Sequence, residues 1–328
     1  MTTSKGAGLD FEQPVLALDQ KIEEMKAFAA DAKIDLASEI ARLTKKREQL
    51  LHRTQQKLTP WNRVELARHQ GRPYAMDHIK AAFTDFVELR GDRAYGDDPA
   101  IIAGFARLDG RPVCVIAHQK GKDTRENILR NFGMPHPEGY RKAMRVMRLA
   151  ERFGRPVVCL VDTPGAFPGI GAEERGQAQA IAENILEMCG LKVPIVVAVL
   201  GEGASGGALG IGVGDRLLMF ENAWYCVISP EGCAAILWGD RLMAREVASH
   251  MHLTAGDLKE QGLADRVMRE PDGGAHWNPE AASASLKEAL VAELEALSAL
   301  PLDRLLDERL ARYTHIGVHL ETNAGARA

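Results

Sequence analysis

An α/β domain with helical extensions at both ends is the architecture this sequence predicts, and three observations predict it. From Ala100 onward, short apolar runs of strand length alternate with segments of helical period. Several of those runs end in loops dense in glycine and proline. Residues 20–58, by contrast, lack both breakers and repeat their apolar residues at helical spacing.

In the N-terminal segment, Ile22, Met25, Ala29, Ala32 and Leu36 share one face, and Ile40, Leu43, Leu50 and Leu51 continue it on a Lys/Arg/Glu-rich background. Such amphipathic helices cover their stripe with another helix or another subunit. Thr59 then serves as N-cap, with Pro60 at the first position of the next helix. Ala100–Leu108, the Asp109-Gly110 turn and Pro112–His118 make a β-hairpin. Helices over Glu138–Phe153, Ala172–Cys189, Pro230–Trp238 and Arg241–His250 alternate with strands Val157–Val161, Ile195–Leu200, Leu217–Phe220 and Trp224–Ile228. Thr254 caps a helix over Thr254–Gln261 that Gly262 ends, and Ala264–Met268 reads as a last strand. A charged amphipathic helix over Pro279–Leu300 leads into a C-terminal one from Leu302. The expected division is a helical arm over 1–70, an α/β body over 71–300, and a C-terminal helix and tail over 301–328.

Composition narrows the function. Of 328 residues, 46% are apolar and 26% charged, and the net charge is −4. With a pI near 6.2, a broad nucleic-acid footprint is not expected, since such domains usually exceed pI ~9. No apolar run approaches the ~20 residues that cross a bilayer. MTTSKGAGLDFEQP has no targeting character, so the expected location is the cytoplasm. The five cysteines, at 114, 159, 189, 226 and 233, form no C-x-x-C pair. That pattern predicts buried thiols and no metal site made by this chain.

Three loops carry the chemistry. The first is Asp162–Gln177, DTPGAFPGIGAEERGQ, where a buried strand gives way to an irregular turn. The crevice beyond strand carboxyl ends is where α/β proteins bind ligands. DTPG imitates a GTPase motif, but the chain has no G-x-x-x-x-G-K-[ST]. The second is Gly201–Asp215, GEGASGGALGIGVGD, after strand Ile195–Leu200. Gly201, Gly203 and Gly206, with Glu221 further on, imitate a dinucleotide fingerprint, but the helix expected over Ser205–Gly212 is short and glycine-interrupted. The other use of this geometry is an oxyanion hole: Gly206 and Gly207 present two bare backbone N–H groups at a helix start. Gly210 and Gly212 read as close-packing positions, and Ser205 as a helix-start residue rather than a nucleophile. The third loop, Val227–Asp240, has Ser229 as N-cap, Pro230 behind it and Glu231 in the first turn. His118–Lys122, with Arg125 and Arg130, reads either as a solvated loop or as a meeting point for an anion.

In this order the loops closely resemble the α subunit of bacterial acetyl-CoA carboxylase carboxyltransferase. The likeness extends to DFEQP near the N-terminus, Arg90–Asp98 (RGDRAYGDD), His118–Arg145 and Gly273–Ala281 (GGAHWNPEA), and is poorest over Ala29–Asn62 and the last few dozen residues. The resemblance implies a crotonase-type (ClpP/crotonase) fold, a spiral of ββα units, for residues 71–300, as the biotin-binding half of an α2β2 carboxyltransferase. Carried onto this chain, it implies that Gly206 and Gly207 bind the ureido oxygen of biotin as a backbone oxyanion hole, with Gly165, Ala166 and Ala208 lining the carboxybiotin site. One departure is Ala204, where close relatives often have Gly.

The resemblance further implies that carboxybiotin arrives in trans on the biotin carboxyl carrier protein after its loading by biotin carboxylase. The β subunit is expected to carry a zinc ribbon and to hold acetyl-CoA, and malonyl-CoA for fatty acid biosynthesis is the expected product. This chain has no cysteine set for that zinc, no Met-Lys-Met biotinylation site and no ATP-binding loop. A second reading is an acyl-CoA hydratase or isomerase of the same fold acting without biotin, with Glu173, Glu174 or Glu231 as its pocket carboxylate. A third is a non-catalytic scaffold.

Overall fold

The computed structural model describes residues 8–317. It opens with α1 (Gln13–Ala32) and α2 (Ala37–Gln55), which pack on each other, burying Val15 and Ile22 of one and Leu43 and Leu51 of the other. The stripe is broken at Lys33, whose left-handed backbone (φ 54°) ends α1 without glycine or proline. Arg47 reaches back to Asp19 at 2.8 Å. Ahead of α1, Glu12 pins this arm to the far end of the chain: Oε1 pairs with His276 Nε2 at 2.8 Å and accepts the Trp277 indole N–H at 3.1 Å.

Next come α3 (Pro60–Ala67), capped by Thr59 as expected, and α4 (Ala75–Ala82). Then come β1 (Thr84–Glu88), β2 (Ile101–Leu108) and β3 (Arg111–His118). The β2–β3 hairpin is paired from Ile101 against His118 to Leu108 against Arg111, and Asp109 and Gly110 both have positive φ, the primed turn that suits strand twist. β1 was not expected, because TDFVE is largely exposed at the sheet edge and carries no alternation of buried residues. There follow α5 (Thr124–Leu129), α6 (Pro137–Arg152), β4 (Val157–Thr163), α7 (Ile170–Glu174), α8 (Gln177–Gly190), β5 (Ile195–Ala204), α9 (Ser205–Leu209), β6 (Arg216–Phe220), β7 (Trp224–Cys226) and α10 (Pro230–Trp238). The chain closes with α11 (Ala244–Ala248), α12 (Ala255–Glu260), β8 (Arg266–Met268), α13 (Pro279–Ser298) and α14 (Leu302–Thr314).

One sheet runs β1-β2-β3-β4-β5-β6-β8, antiparallel through β3 and parallel beyond it, with β7 alongside the end of β5. β5 changes partner along its length. Val196–Val199 pairs with β6, and Glu202–Ala204 pairs with β7. Valines and isoleucines of β3, β4 and β5 are fully buried, as parallel strands covered on both faces require. At the C-terminus Arg309 of α14 is also fully buried. It donates to both Asp215 carboxylate oxygens at 2.8 Å and to the carbonyls of Met188, Leu191 and Val193.

Several expected boundaries are corrected. The helix expected over Ala172–Cys189 is split at Gly176, which sits at φ 82° and separates α7 from α8. That expected over Arg241–His250 is a 3-10 turn, Arg241–Met243, followed by the short α11. The strand expected to stop at Leu200 runs to Ala204, and the helix after it ends at Leu209 rather than Gly212.

Candidate active site at the carboxyl ends of the parallel strands

The carboxyl ends of β3, β4 and β5 lie side by side, and each gives way to a loop at the same edge of the sheet. Thr163 of β4 is paired with Gly203 of β5, so the loops that follow start at the same level. Thr163 Oγ1 sets the first loop by accepting the Gly165 N–H at 3.1 Å and donating to the carbonyls of Gly133 and Gly165, both at 2.7 Å. From β5 the chain turns at Ser205 (φ 59°, exposed) straight into α9.

The glycines of 201–214 separate once each is tested for room. A Cβ on Gly201 would lie 2.8 Å from Asp162 Oδ1, and one on Gly203 would lie 2.3 Å from the Tyr225 ring. One on Gly210 would be 2.4 Å from the Tyr140 ring, and one on Gly212 would be 2.7 Å from the Ala208 carbonyl. At Gly207 it would strike the Gly165–Ala166 backbone at 2.3 Å. All of these are close-packing positions. Gly206 differs: the nearest atoms are methyls of Ile181 at 3.8 Å, and its φ is not positive. The structure thus brings the expected residues together, with Gly165 and Ala166 lying directly against Gly207, and Ala208 buried behind it. The dinucleotide reading fails here for a physical reason, since Gly201 and Gly203 sit inside a strand and not in a phosphate-cradling turn. Glu221, the acidic residue of that pattern, instead accepts the Glu270 N–H at 2.7 Å.

As first-turn groups, the N–H donors of Gly206 and Gly207 have no intrahelical acceptor. α9 is only five residues long, so its dipole is small and the two amides themselves are the electrostatic feature.

Beneath the loops lies a buried chain of charges. Lys120 Nζ contacts Asp162 Oδ1 and Glu202 Oε2, both at 2.7 Å. Arg68 Nε donates to Glu202 Oε1 at 2.6 Å, and its two terminal nitrogens hold the Glu231 carboxylate. Burial opposes the charge on Lys120, but the two carboxylates outweigh it and hold its pKa above the ordinary value. Burial likewise works against Glu202, but Lys120 and Arg68 keep its carboxyl below the usual range. His118-Gln119-Lys120 is therefore neither a solvated loop nor a free anion site. Lys120 is neutralised from inside, while Lys122 pairs with Asp77 on the surface at 2.6 Å. Arg130 donates to the Pro99 carbonyl, and Arg125 is exposed. His118 is fully buried with neither ring nitrogen hydrogen-bonded. Burial pushes its pKa down to about 3, with the Gly207 carbonyl opposing and Lys120 assisting.

The carboxylates nominated for a hydratase are placed otherwise. Glu173 and Glu174 are exposed on α7, and Glu231 is held by Arg68. Among the described residues Glu12, His69 and His276 offer ligand atoms within 4.8 Å of one another. There Glu12 already accepts from Leu9, His276 and Trp277, and His69 Nδ1 accepts the Gly71 N–H, which makes the cluster a hydrogen-bonded staple of the arm. Arg68 escaped the sequence reading altogether, because the partner that gives it meaning, Glu202, lies 134 residues away.

Comparison with known proteins bears on the fold and the family. The family model described as acetyl co-enzyme A carboxylase carboxyltransferase-like matches residues 8–317. Acetyl-coenzyme A carboxylase carboxyl transferase subunit alpha of Heliobacterium modesticaldum is 54% identical over 311 residues, covering 95% of this chain and 93% of that protein. The protein of the same name from Thermus thermophilus is 52% identical, covering 95% and 99%. Among solved structures, transcarboxylase 12S aligns with a TM-score of 0.55 at 22% identity, over 69% of this chain and 41% of that one. A Pseudomonas malonate decarboxylase hetero-tetramer in complex with coenzyme A aligns with a TM-score of 0.54 at 19% identity, over 67% of this chain and 89% of that one. These likenesses establish the crotonase-type fold expected for the body. Identity sustained over nearly the full length of both partners goes further, and the chain belongs to the family of acetyl-CoA carboxylase carboxyltransferase α subunits.

Proposed function

We propose that Gly206 and Gly207 form the backbone oxyanion hole of the carboxyl-transfer site, with the ureido oxygen of biotin as its ligand. The observation that carries this reading is the room at Gly206. Every other glycine of the segment is closely packed, whereas a Cβ placed at 206 would meet no neighbouring segment nearer than the Ile181 methyls at 3.8 Å. A bare face there serves something that comes from outside.

Carboxybiotin, carried in on a separate carrier protein, supplies the carboxyl group when bound. The chain's own contribution is positional and electrostatic. The two amides donate to an oxygen that gains negative charge during transfer, an arrangement commonly worth ~3–4 kcal/mol per donor. Gly165 and Ala166 form the adjoining wall, and the buried Glu202–Lys120–Asp162 chain, extended by the half-buried Arg68, holds the ends of β4 and β5 in register beneath it. No acid–base pair is needed from this chain, because holding reacting groups in place already supplies a large part of such barriers. The hydratase alternative loses its support, since its best-placed carboxylate, Glu231, is committed to Arg68.

Acetyl-CoA and the second half of the pocket belong in this proposal to a β partner, in an α2β2 assembly. The surface supports a partner: Ile236 (73% exposed), Leu237 and Trp238 of α10, with Val227 and Leu242 on its flanks, stand in solvent. Apolar residues gathered in this way mark association surfaces. No helix among the described residues is long and apolar enough to cross a membrane, and we assign the protein to the cytoplasm.

The test is Gly206→Val, reconstituted with the wild-type β chain and assayed for carboxyl exchange between malonyl-CoA and a soluble biotin derivative. Because a Cβ at 206 meets only ordinary van der Waals contact, the variant is expected to fold, and an unchanged thermal midpoint checks that it does. The expected loss is at least about 100-fold in kcat, and full transfer by this variant overturns the assignment.

A further inference from the structure

α9 is an unlikely structure to stand by itself. It has five residues, two of its first three are glycine, and Gly210 follows it. Isolated helices shorter than ~12–15 residues are marginal in water, and glycine is the poorest helix former after proline. Yet donors that stabilise a developing charge work only if they are already aimed when the charge appears. Something outside α9 has to hold it.

Two buried side chains do so. Tyr140, in the first turn of α6 and fully buried, donates its hydroxyl to the Gly207 carbonyl at 3.1 Å. Its ring also lies flush against Gly210, where a Cβ would come within 2.4 Å. Asn184, on α8 and 2% exposed, spends both amide hydrogens on the same task, donating to the Gly210 carbonyl at 2.8 Å and the Tyr140 carbonyl at 3.0 Å. One tie thus fixes the first turn of α9 and the other fixes its end. Behind them Gly207 is pressed on the Gly165–Ala166 backbone, which prevents retreat in that direction. Burial keeps the Tyr140 phenol well above its ordinary pKa, so it remains a donor throughout the working pH range.

We propose that Tyr140, assisted by Asn184, is a positioning residue for carboxyl transfer: by holding the Gly207 carbonyl and the end of α9 it keeps the N–H groups of Gly206 and Gly207 aimed into the crevice. The inference rests on the reading of that glycine pair as the oxyanion hole.

Tyr140→Phe removes one hydroxyl without changing the ring that packs on Gly210. In the complex with the β chain, with malonyl-CoA as donor and a soluble biotin derivative as acceptor, kcat is expected to fall about tenfold while KM for malonyl-CoA stays within about twofold, because only a transition-state interaction is loosened. Gly210→Ala, whose methyl displaces the Tyr140 ring, is expected to show the same split by an independent route. Leu305→Val, in the buried face of α14 and far in the chain from these groups, supplies a comparable loss of stability and is expected to keep wild-type kcat. Wild-type kcat in Tyr140→Phe overturns the proposal, as does an equal fall in kcat for Leu305→Val, which would make the effect one of general stability. If Gly206→Val abolishes transfer while Tyr140→Phe leaves it intact, the positioning role alone falls. If Gly206→Val is also without effect, the oxyanion-hole reading falls with it.

Discussion

A methyl group added to Gly207 would lie 2.3 Å from the Gly165 carbonyl carbon, while the same group on Gly206 meets nothing closer than 3.8 Å. Two neighbouring glycines therefore make opposite predictions. Gly207→Ala is expected to destabilise the chain by about 1–3 kcal/mol, the cost of overpacking, read as a lowered urea midpoint. Gly206→Ala is expected to leave that midpoint within about 0.5 kcal/mol, while any loss it causes appears in carboxyl transfer. Equal midpoints for the two variants would contradict the packing. Lys120 belongs to the same scale. It is the common cation of Asp162 and Glu202 at the carboxyl ends of β4 and β5, so Lys120→Met leaves the buried Asp162 with no cation and Glu202 with Arg68 alone. A loss of about 3–5 kcal/mol is expected, and calorimetry showing less than 1 kcal/mol would mean that the pair carries no stability. Residue types and spacing identified the glycine pair. They gave no sign that Lys120 faces inward, because HQKGK has the composition of a solvated loop and only the ends of β4 and β5 supply its counter-charges.

Helix starts were legible because their signals are local. Thr59, Ser229 and Thr254 each cap the helix expected of them, through side chains that accept N–H groups three residues on. Strand and helix ends were less so. The end of β5 runs four residues beyond Leu200 because Glu202–Ala204 finds a second partner in β7, a pairing that no window of sequence contains. α14 carries the prediction at this scale. Arg309 makes five hydrogen bonds, to Met188, Leu191, Val193 and twice to Asp215, and is wholly out of water. Arg309→Met leaves the buried Asp215 with the Ile195 N–H but no cation and takes a donor from each of three carbonyls, and a loss of about 3–5 kcal/mol is expected. Limited proteolysis then cuts before α14, where the wild-type chain resists. Resistance in the variant would show that apolar packing alone holds the helix.

At the scale of the whole molecule, burial sets how stability responds to acid. His118 and His78 are buried, and burial pushes their pKa values down to about 3 and about 4. Unfolded, each titrates near 6.5. The unfolded chain therefore binds more protons between those limits, so the stabilisation is complete above pH 6.5 and is lost as pH falls towards 4. By pH 5 each histidine is expected to cost about 2 kcal/mol. The thermal midpoint should be nearly flat above pH 7 and fall steadily below 6.5, and a flat profile down to pH 5 would show that these imidazoles stay wet. The exposed face of α10 makes a second prediction. Trp238→Glu and Leu242→Glu are expected to weaken assembly with the β chain at least about tenfold in titration calorimetry while leaving the thermal midpoint of the isolated chain unchanged. Unaltered assembly would place the interface elsewhere.

Sequence by itself determined the α/β class, the β-hairpin, the caps and the family, and it nominated the glycine pair on which the proposed chemistry turns. Each of these is written in neighbouring residues or in long runs that nothing else resembles. Only the tertiary structure decided that Gly201, Gly203 and Gly207 are packing positions too, that His118-Gln119-Lys120 is interior, and that Tyr140 and Asn184 tie down α9. Those facts are contacts between segments tens of residues or more apart in the chain. A side chain's burial and its partner are properties of the folded neighbourhood, which no local pattern encodes.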